Sequence, residues 1–232
     1  LCDRRQRQMC IRDRDGDLQR IEEQIDIVDR LTKNTSELER QSLFWAKGEL
    51  ATQKYGNNGK AMEYLMKAIQ ITLPDFDGKN PLRNHLLTFD EITIINSIAV
   101  RHAENTSLLT AIQLDMWLKE YMENRVVDGR MKTAKYPMIL YNLSCWFGSE
   151  HCHKEALDIA NQGVDFCVKY GNLVAFPRLI LNQGIASVEL GQIDNAKKYL
   201  HQAVTIFETM KRMDTVESVS YTHLRAHETD QY

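Results

Sequence analysis

Two stretches of this chain match without a gap at a shift of 135 residues. Residues 42–72 read SLFWAKGELATQKYGNNGKAMEYLMKAIQIT; the second stretch, 179–207, reads LILNQGIASVELGQIDNAKKYLHQAVTIF. Ala51 falls on Ala186, Gly56 on Gly191, Ala61 on Ala196, Leu65 on Leu200, Ala68 on Ala203 and Ile71 on Ile206. Self-similarity in a fixed register means that one supersecondary unit is repeated and stacked, which removes most globular topologies from consideration. Each stretch reads as two helices around a Gly-containing turn. Asn182 sits in the middle of a first helix, where its short amide competes for backbone groups and lowers helix propensity. An asparagine at such a position calls for a reason.

The rest of the chain carries the same unit. LQRIEEQIDIVDRL (18–31) places apolar residues at 18, 21, 25, 28 and 31, one stripe of an amphipathic helix. Ser36 and Glu39 form a predicted capping box that opens the first pair, and Thr88 and Glu91 a second one. Between them, LPDFDGKNPLRN (73–84), with two prolines and a glycine, is the clearest loop. The second pair is TFDEITIINSIAVRHA with SLLTAIQLDMWLKEYMEN. The third is YPMILYNLSCWFG with HKEALDIANQGVDFCVKYG, and the fourth is the 179–207 stretch. Ala61, Ala111, Ala156 and Ala196 recur early in the second helices, where a small side chain lets the paired helices approach closely.

Composition excludes several classes. The net charge of -3 leaves no general nucleic-acid footprint. No apolar run approaches the roughly 18 residues that span a bilayer. Cys145, Cys152 and Cys167, an odd set outside the terminal strings, fit a reduced, cytoplasmic protein rather than a disulfide scaffold. Cys145, His151, Cys152 and His153 lie close together, but their spacing matches no zinc pattern, so neither a metal nor a cofactor is expected. No nucleophile elbow, phosphate loop or HExxH is present, and the acidic pairs lie at helix starts or on exposed faces; the expectation is that the chain is not an enzyme.

The ends stand apart from this pattern. LCDRRQRQMCIRDR (1–14) and SYTHLRAHETDQY (220–232) resemble translated sequencing-adapter read-through in assembled environmental DNA, and are read as non-native scars. The alternatives are a basic nucleic-acid-binding arm and a natural His-containing tail. The organisation that follows is a scar at 1–14, a linker or capping helix at 15–34, a repeat domain at 35–219 and a scar at 220–232.

The recurring residues resemble tetratricopeptide repeats. The fourth copy has Gly184, Gly191, Ala196, Leu200 and Ala203 at matching places, and the first has Trp45, Gly56, Ala61, Leu65 and Ala68. The third keeps Leu140, Leu143 and Ala156 but has Ser144 and Gly163 where Gly and Ala are usual; the second is the weakest. The expected fold is all-α, a superhelical stack of about four tetratricopeptide-like helix pairs. From LTFDEITIINSIAV through YPMILYNLSCWFG to LILNQGIASVELGQIDNAKKYLHQA, the chain is also similar to the peptide-sensing region of Gram-positive helix-turn-helix transcription regulators. That resemblance covers roughly residues 35 to 215. It implies a short peptide or small effector in a concave groove, a homodimer, and DNA contact only through an N-terminal domain that this chain does not contain. A free-standing repeat adaptor that binds a protein partner is the alternative. A peptide-inhibited phosphatase is a weaker one, because its catalytic inserts are not recognisable.

With the copies aligned on their alanines, Asn142 and Asn182 share one position; Lys47 holds it in the first copy and Ser97, beside Asn96, in the second. In tetratricopeptide proteins the first helices line the groove. An amide has a donor and an acceptor side that match a peptide unit of an extended ligand. Lys47, Asn96, Ser97, Asn142 and Asn182 are therefore candidate ligand contacts. Arg178 is a candidate partner for a ligand carboxylate, and Tyr141 neighbours Asn142. The competing reading is that the amides tie adjacent helices together.

Overall fold

The computed structural model describes residues 15–31, 36–82, 85–105, 107–125 and 127–210. Among these residues the chain is all-helical: α1 Asp15–Leu31, α2 Glu37–Gln53, α3 Asn58–Thr72, α4 Phe89–Asn105, α5 Leu108–Asn124, α6 Gly129–Ser149, α7 His153–Tyr170, α8 Phe176–Glu189 and α9 Ile193–Thr209. The strings at 1–14 and 220–232 lie outside the described residues. Two compact units meet within α5, one ending at Leu118 and the other starting at Lys119.

In the first unit, α2 and α3 form an antiparallel pair. Both predicted capping boxes are present. Ser36 Oγ accepts from the Glu39 amide at 3.3 Å while the Ser36 amide donates to the Glu39 carboxylate at 2.8 Å. At α4 the Thr88 amide donates to Glu91 at 2.7 Å and the Glu91 amide to Thr88 Oγ1 at 3.2 Å. Each box satisfies backbone donors that a helix start leaves open. The connection after α3 is tied down through Phe76, which is fully buried, and through His102, whose Nε2 lies 2.8 Å from the Gly78 carbonyl.

The second unit holds the pairs α6–α7 and α8–α9. The small residues expected early in the second helices, Ala156 and Ala196, are buried, as are Ala61 and Ala111 in the first unit. α6 begins seven residues before the predicted stretch at Tyr136 and carries Pro137 inside it. The Asp128 carboxylate caps its start, accepting from the amides of Arg130 and Met131. Pro137 has no N–H to give the Thr133 carbonyl one turn earlier. Asn172 supplies the missing bond, its Nδ2 donating to Thr133 O at 2.6 Å.

The repeat is not quite in the register that the sequence suggests. Gly184 lies under Leu200 of the facing helix: a Cβ there would stand 2.7 Å from Leu200 Cδ2. In the first pair the glycine under Leu65 is Gly48, at 3.0 Å from Leu65 Cγ. Leu65 and Leu200 differ by 135, Gly48 and Gly184 by 136. The turn between α2 and α3 is one residue longer than that between α8 and α9. Both turns pass through a glycine with positive φ, Gly56 at 59° and Gly191 at 70°, a conformation that costs glycine little.

Candidate functional site

Each candidate residue lies on a first helix. In the second unit, Arg178 and Asn182 sit one turn apart on α8, and Tyr141 and Asn142 lie on α6. The Arg178 guanidinium stands 5.7 Å from the centre of the Tyr141 ring, a cation–π contact. Asn182 Nδ2 donates to Ser144 Oγ at 2.6 Å and approaches Cys145 Sγ at 3.2 Å. All four candidates are half-buried. The fold thus brings Tyr141, Asn142, Arg178 and Asn182 onto adjoining helices. It also shows what the Asn182 donor does: it ties α8 to α6, leaving the Oδ1 to accept from another group.

The first-unit candidates are placed differently. Lys47 Nζ pairs with Asp29 of α1 at 2.8 Å. Because the turn after α2 is longer, Lys47 is the structural equivalent of Gln183, and Ala46 that of Asn182. Ser97 Oγ donates to the Glu49 carboxylate at 2.6 Å, and Asn96 is half-buried.

A second polar cluster escaped sequence reasoning. Glu123 of α5 accepts from the Tyr136 hydroxyl, from Gln162 Nε2 at 2.7 Å and from Lys119 Nζ at 2.9 Å, and Gln162 also donates to the Tyr136 oxygen at 2.9 Å. Burial by itself would raise the Glu123 carboxyl, but the bonds from Tyr136, Lys119 and Gln162 outweigh it and hold it below the usual carboxylate range. Burial first, and then the Glu123 carboxylate, push the Tyr136 phenol well above its ordinary value, so it stays protonated. A depressed carboxyl stabilises the fold fully above the ordinary glutamate pKa, and that stabilisation is lost as pH falls through the folded value. Glu123→Gln is therefore expected to flatten the acid limb of the stability profile below about pH 5. Urea midpoints measured from neutral to acid pH test this; parallel profiles for the two proteins would refute it.

Among the described residues no group of three or more His, Cys, Asp or Glu side chains is placed to hold a metal ion. No described helix is long and apolar enough to cross a membrane. Cys167 is buried, and burial pushes its thiol up to about 11, so it is not an activated nucleophile.

Stacked helix pairs closed by glycine–leucine contacts define the class: this is an all-α helical-repeat protein of tetratricopeptide-like build. Residues 177–209, which lie within the α8–α9 pair, match the tetratricopeptide repeat family. No curated protein matches the chain at a significant level. Among solved structures the chain is similar to Bacillus thuringiensis PlcR, crystallised in complex with the peptide PapR7 and DNA. The match has a TM-score of 0.67 at 19% identity and covers 87% of this chain and 69% of that one. At that identity the likeness establishes a shared fold.

Proposed function

We propose that this chain is the effector-sensing and dimerisation region of a cytoplasmic DNA-binding transcription regulator, with a short peptide as effector and the helix-turn-helix domain outside this chain. The observation that carries the reading is the likeness, over 87% of the chain, to PlcR, which was captured with both a peptide and DNA. The polar first-helix face of the second unit supports it. Arg178, held over Tyr141, offers a charge-assisted contact to a ligand carboxylate. Asn182 Oδ1 accepts from a peptide N–H, while its Nδ2 is held by Ser144. Asn142, one repeat earlier, contributes a second amide; Lys47, Asn96 and Ser97 would extend the contacts in the first unit. Ligand binding would bias helix-pair packing, hence the dimer, hence the spacing of two DNA-binding modules.

Changing Asn142 and Asn182 together to Ala is expected to weaken peptide binding about tenfold or more, each lost hydrogen bond being worth about 1 kcal/mol. Titration calorimetry with a pool of heptapeptides, beside a thermal melt, checks this. A large loss of stability with unchanged affinity would assign the amides to helix ties, a role the Asn182–Ser144 bond also serves. The second reading, a free-standing adaptor, is favoured by the match of 177–209 to a repeat family that is common to many functions. Sequencing the coding DNA upstream of Asp15 separates the two: an in-frame helix-turn-helix supports the regulator, and a nearby start codon the adaptor.

A further inference from the structure

Ser144 stands where the first and fourth pairs carry a glycine, Gly48 and Gly184. The third and fourth pairs share one register. Ala156 and Ala196 differ by 40, as do Ser144 and Gly184. Their turns are equally long: α6 ends at Ser149 and α7 starts at His153, while α8 ends at Glu189 and α9 starts at Ile193. His151 and Gly191, equivalent in the two turns, both take positive φ, 60° and 70°. Gly184 lies under Leu200; the equivalent of Leu200 is Ala160, which is fully buried. The shorter side chain leaves room for a serine, so the hydroxyl of Ser144 calls for its own reason.

A buried hydroxyl is costly unless it is bonded, and Ser144 is buried. Its Oγ gives its one hydrogen to the Tyr141 carbonyl at 2.8 Å. Toward Asn182 of α8 the same oxygen is an acceptor, taking a bond from Nδ2 at 2.6 Å. Nδ2 also meets Cys145 Sγ at 3.2 Å, so the two amide hydrogens have two acceptors on α6. Oδ1 is the end that remains. Turning the amide over would set Oδ1 against an oxygen whose hydrogen is already given to Tyr141. Ser144 therefore decides which end of Asn182 α6 holds and which end is left for a ligand.

A second rung joins the same two helices. The Arg178 guanidinium is held on the Tyr141 ring, 5.7 Å from its centre. Arg178 and Asn182 are four residues apart on α8, and Tyr141 and Ser144 three apart on α6, so the rungs lie about 5–6 Å apart at 1.5 Å per residue. α6 carries no acidic residue, and α8 carries only Glu189, eleven residues beyond Arg178. A ligand carboxylate at Arg178 thus meets no competing carboxylate from either helix. In an extended peptide the penultimate nitrogen lies about 6 Å from the terminal carboxylate carbon. The geometry points to Ser144 as a positioning residue that makes Asn182 an acceptor-only subsite, and to an effector with a free C-terminal carboxylate on Arg178 and its penultimate N–H on Asn182 Oδ1. Proline, which has no N–H, is excluded at that penultimate place. This inference rests on the peptide reading and names the end of the peptide that the second unit reads.

The test uses the full chain and the tightest binder from a pool of heptapeptides with free C-termini. Amidating its C-terminus should weaken binding about tenfold, the size of a charge-assisted contact. N-methylation of its penultimate residue should cost about tenfold in the wild type and less than about twofold in Asn182→Ala, because the two changes remove the same bond. Ser144→Ala, which keeps the Cβ and removes only the hydroxyl, should shrink the N-methyl penalty as well. In the free protein, the Asn182 Nδ2 hydrogens should give a resolved, slowly exchanging pair by NMR. Ser144→Ala should move that pair to ordinary side-chain values while the backbone spectrum elsewhere is kept. An N-methyl penalty unchanged by Asn182→Ala, or an Nδ2 pair unmoved by Ser144→Ala, overturns the assignment alone. If no peptide of the pool shifts any amide resonance of α6 or α8, the peptide reading fails and the subsite falls with it.

Discussion

Leu200→Ala is expected to destabilise the chain by about 2–5 kcal/mol, the range for deleting a buried leucine where the surroundings cannot collapse. Leu200 is fully buried and forms a core cluster with Ile180, Ala203 and Phe207. Val164 of α7 and Phe176 at the start of α8 close over it. Its branch also rests on the bare backbone of Gly184. These walls belong to three helices whose spacing is set by other contacts, among them Leu179 on Gly163. The void would therefore persist and the lost dispersion contacts would not be recovered. Urea denaturation with a fixed slope reads the change. A loss below about 1 kcal/mol would mean that the fourth pair repacks freely.

The second large effect is a coupling. Gly184→Ala alone sets a Cβ 2.7 Å from Leu200 Cδ2, 2.8 Å from Leu200 Cγ and 3.3 Å from the Leu200 backbone nitrogen. The terminal carbon could swing away, but Cγ and the backbone move only with the helix. Overpacking of this kind costs about 1–3 kcal/mol, against about 1 kcal/mol gained from replacing glycine by alanine in a helix interior. In a Leu200→Ala background the sign should reverse. The new methyl then fills part of the cavity and the propensity gain is kept. The double-mutant cycle should show a favourable coupling of about 1–3 kcal/mol, large for one contact. Additive single effects would show that Gly184 and Leu200 do not meet as described.

Both effects follow from residues that the repeat pattern marks out, and this part of the molecule was legible. The two capping boxes and the glycine turns are local, and an alanine recurs early in each second helix. Pro137 is an instructive exception. A proline predicts a helix boundary, yet α6 runs through it. The bond that replaces the missing one comes from Asn172, and no local rule anticipates a partner that distant in the chain.

The candidate site was legible only as a list. Alignment on the alanines put Lys47 level with Asn182; one extra turn residue moves it to the Gln183 position, facing α1. The Glu123–Tyr136–Gln162 cluster left no trace in the sequence, because its members come from three helices and follow no period.

The sequence by itself determined that this protein is a stack of helix pairs, because apolar periodicity, caps and small-residue positions act within a few turns of the chain. Only the tertiary structure decided what each polar residue faces. A side chain half-way round a helix turns toward a ligand face or a neighbouring helix according to a one-residue change in the turn that follows that helix.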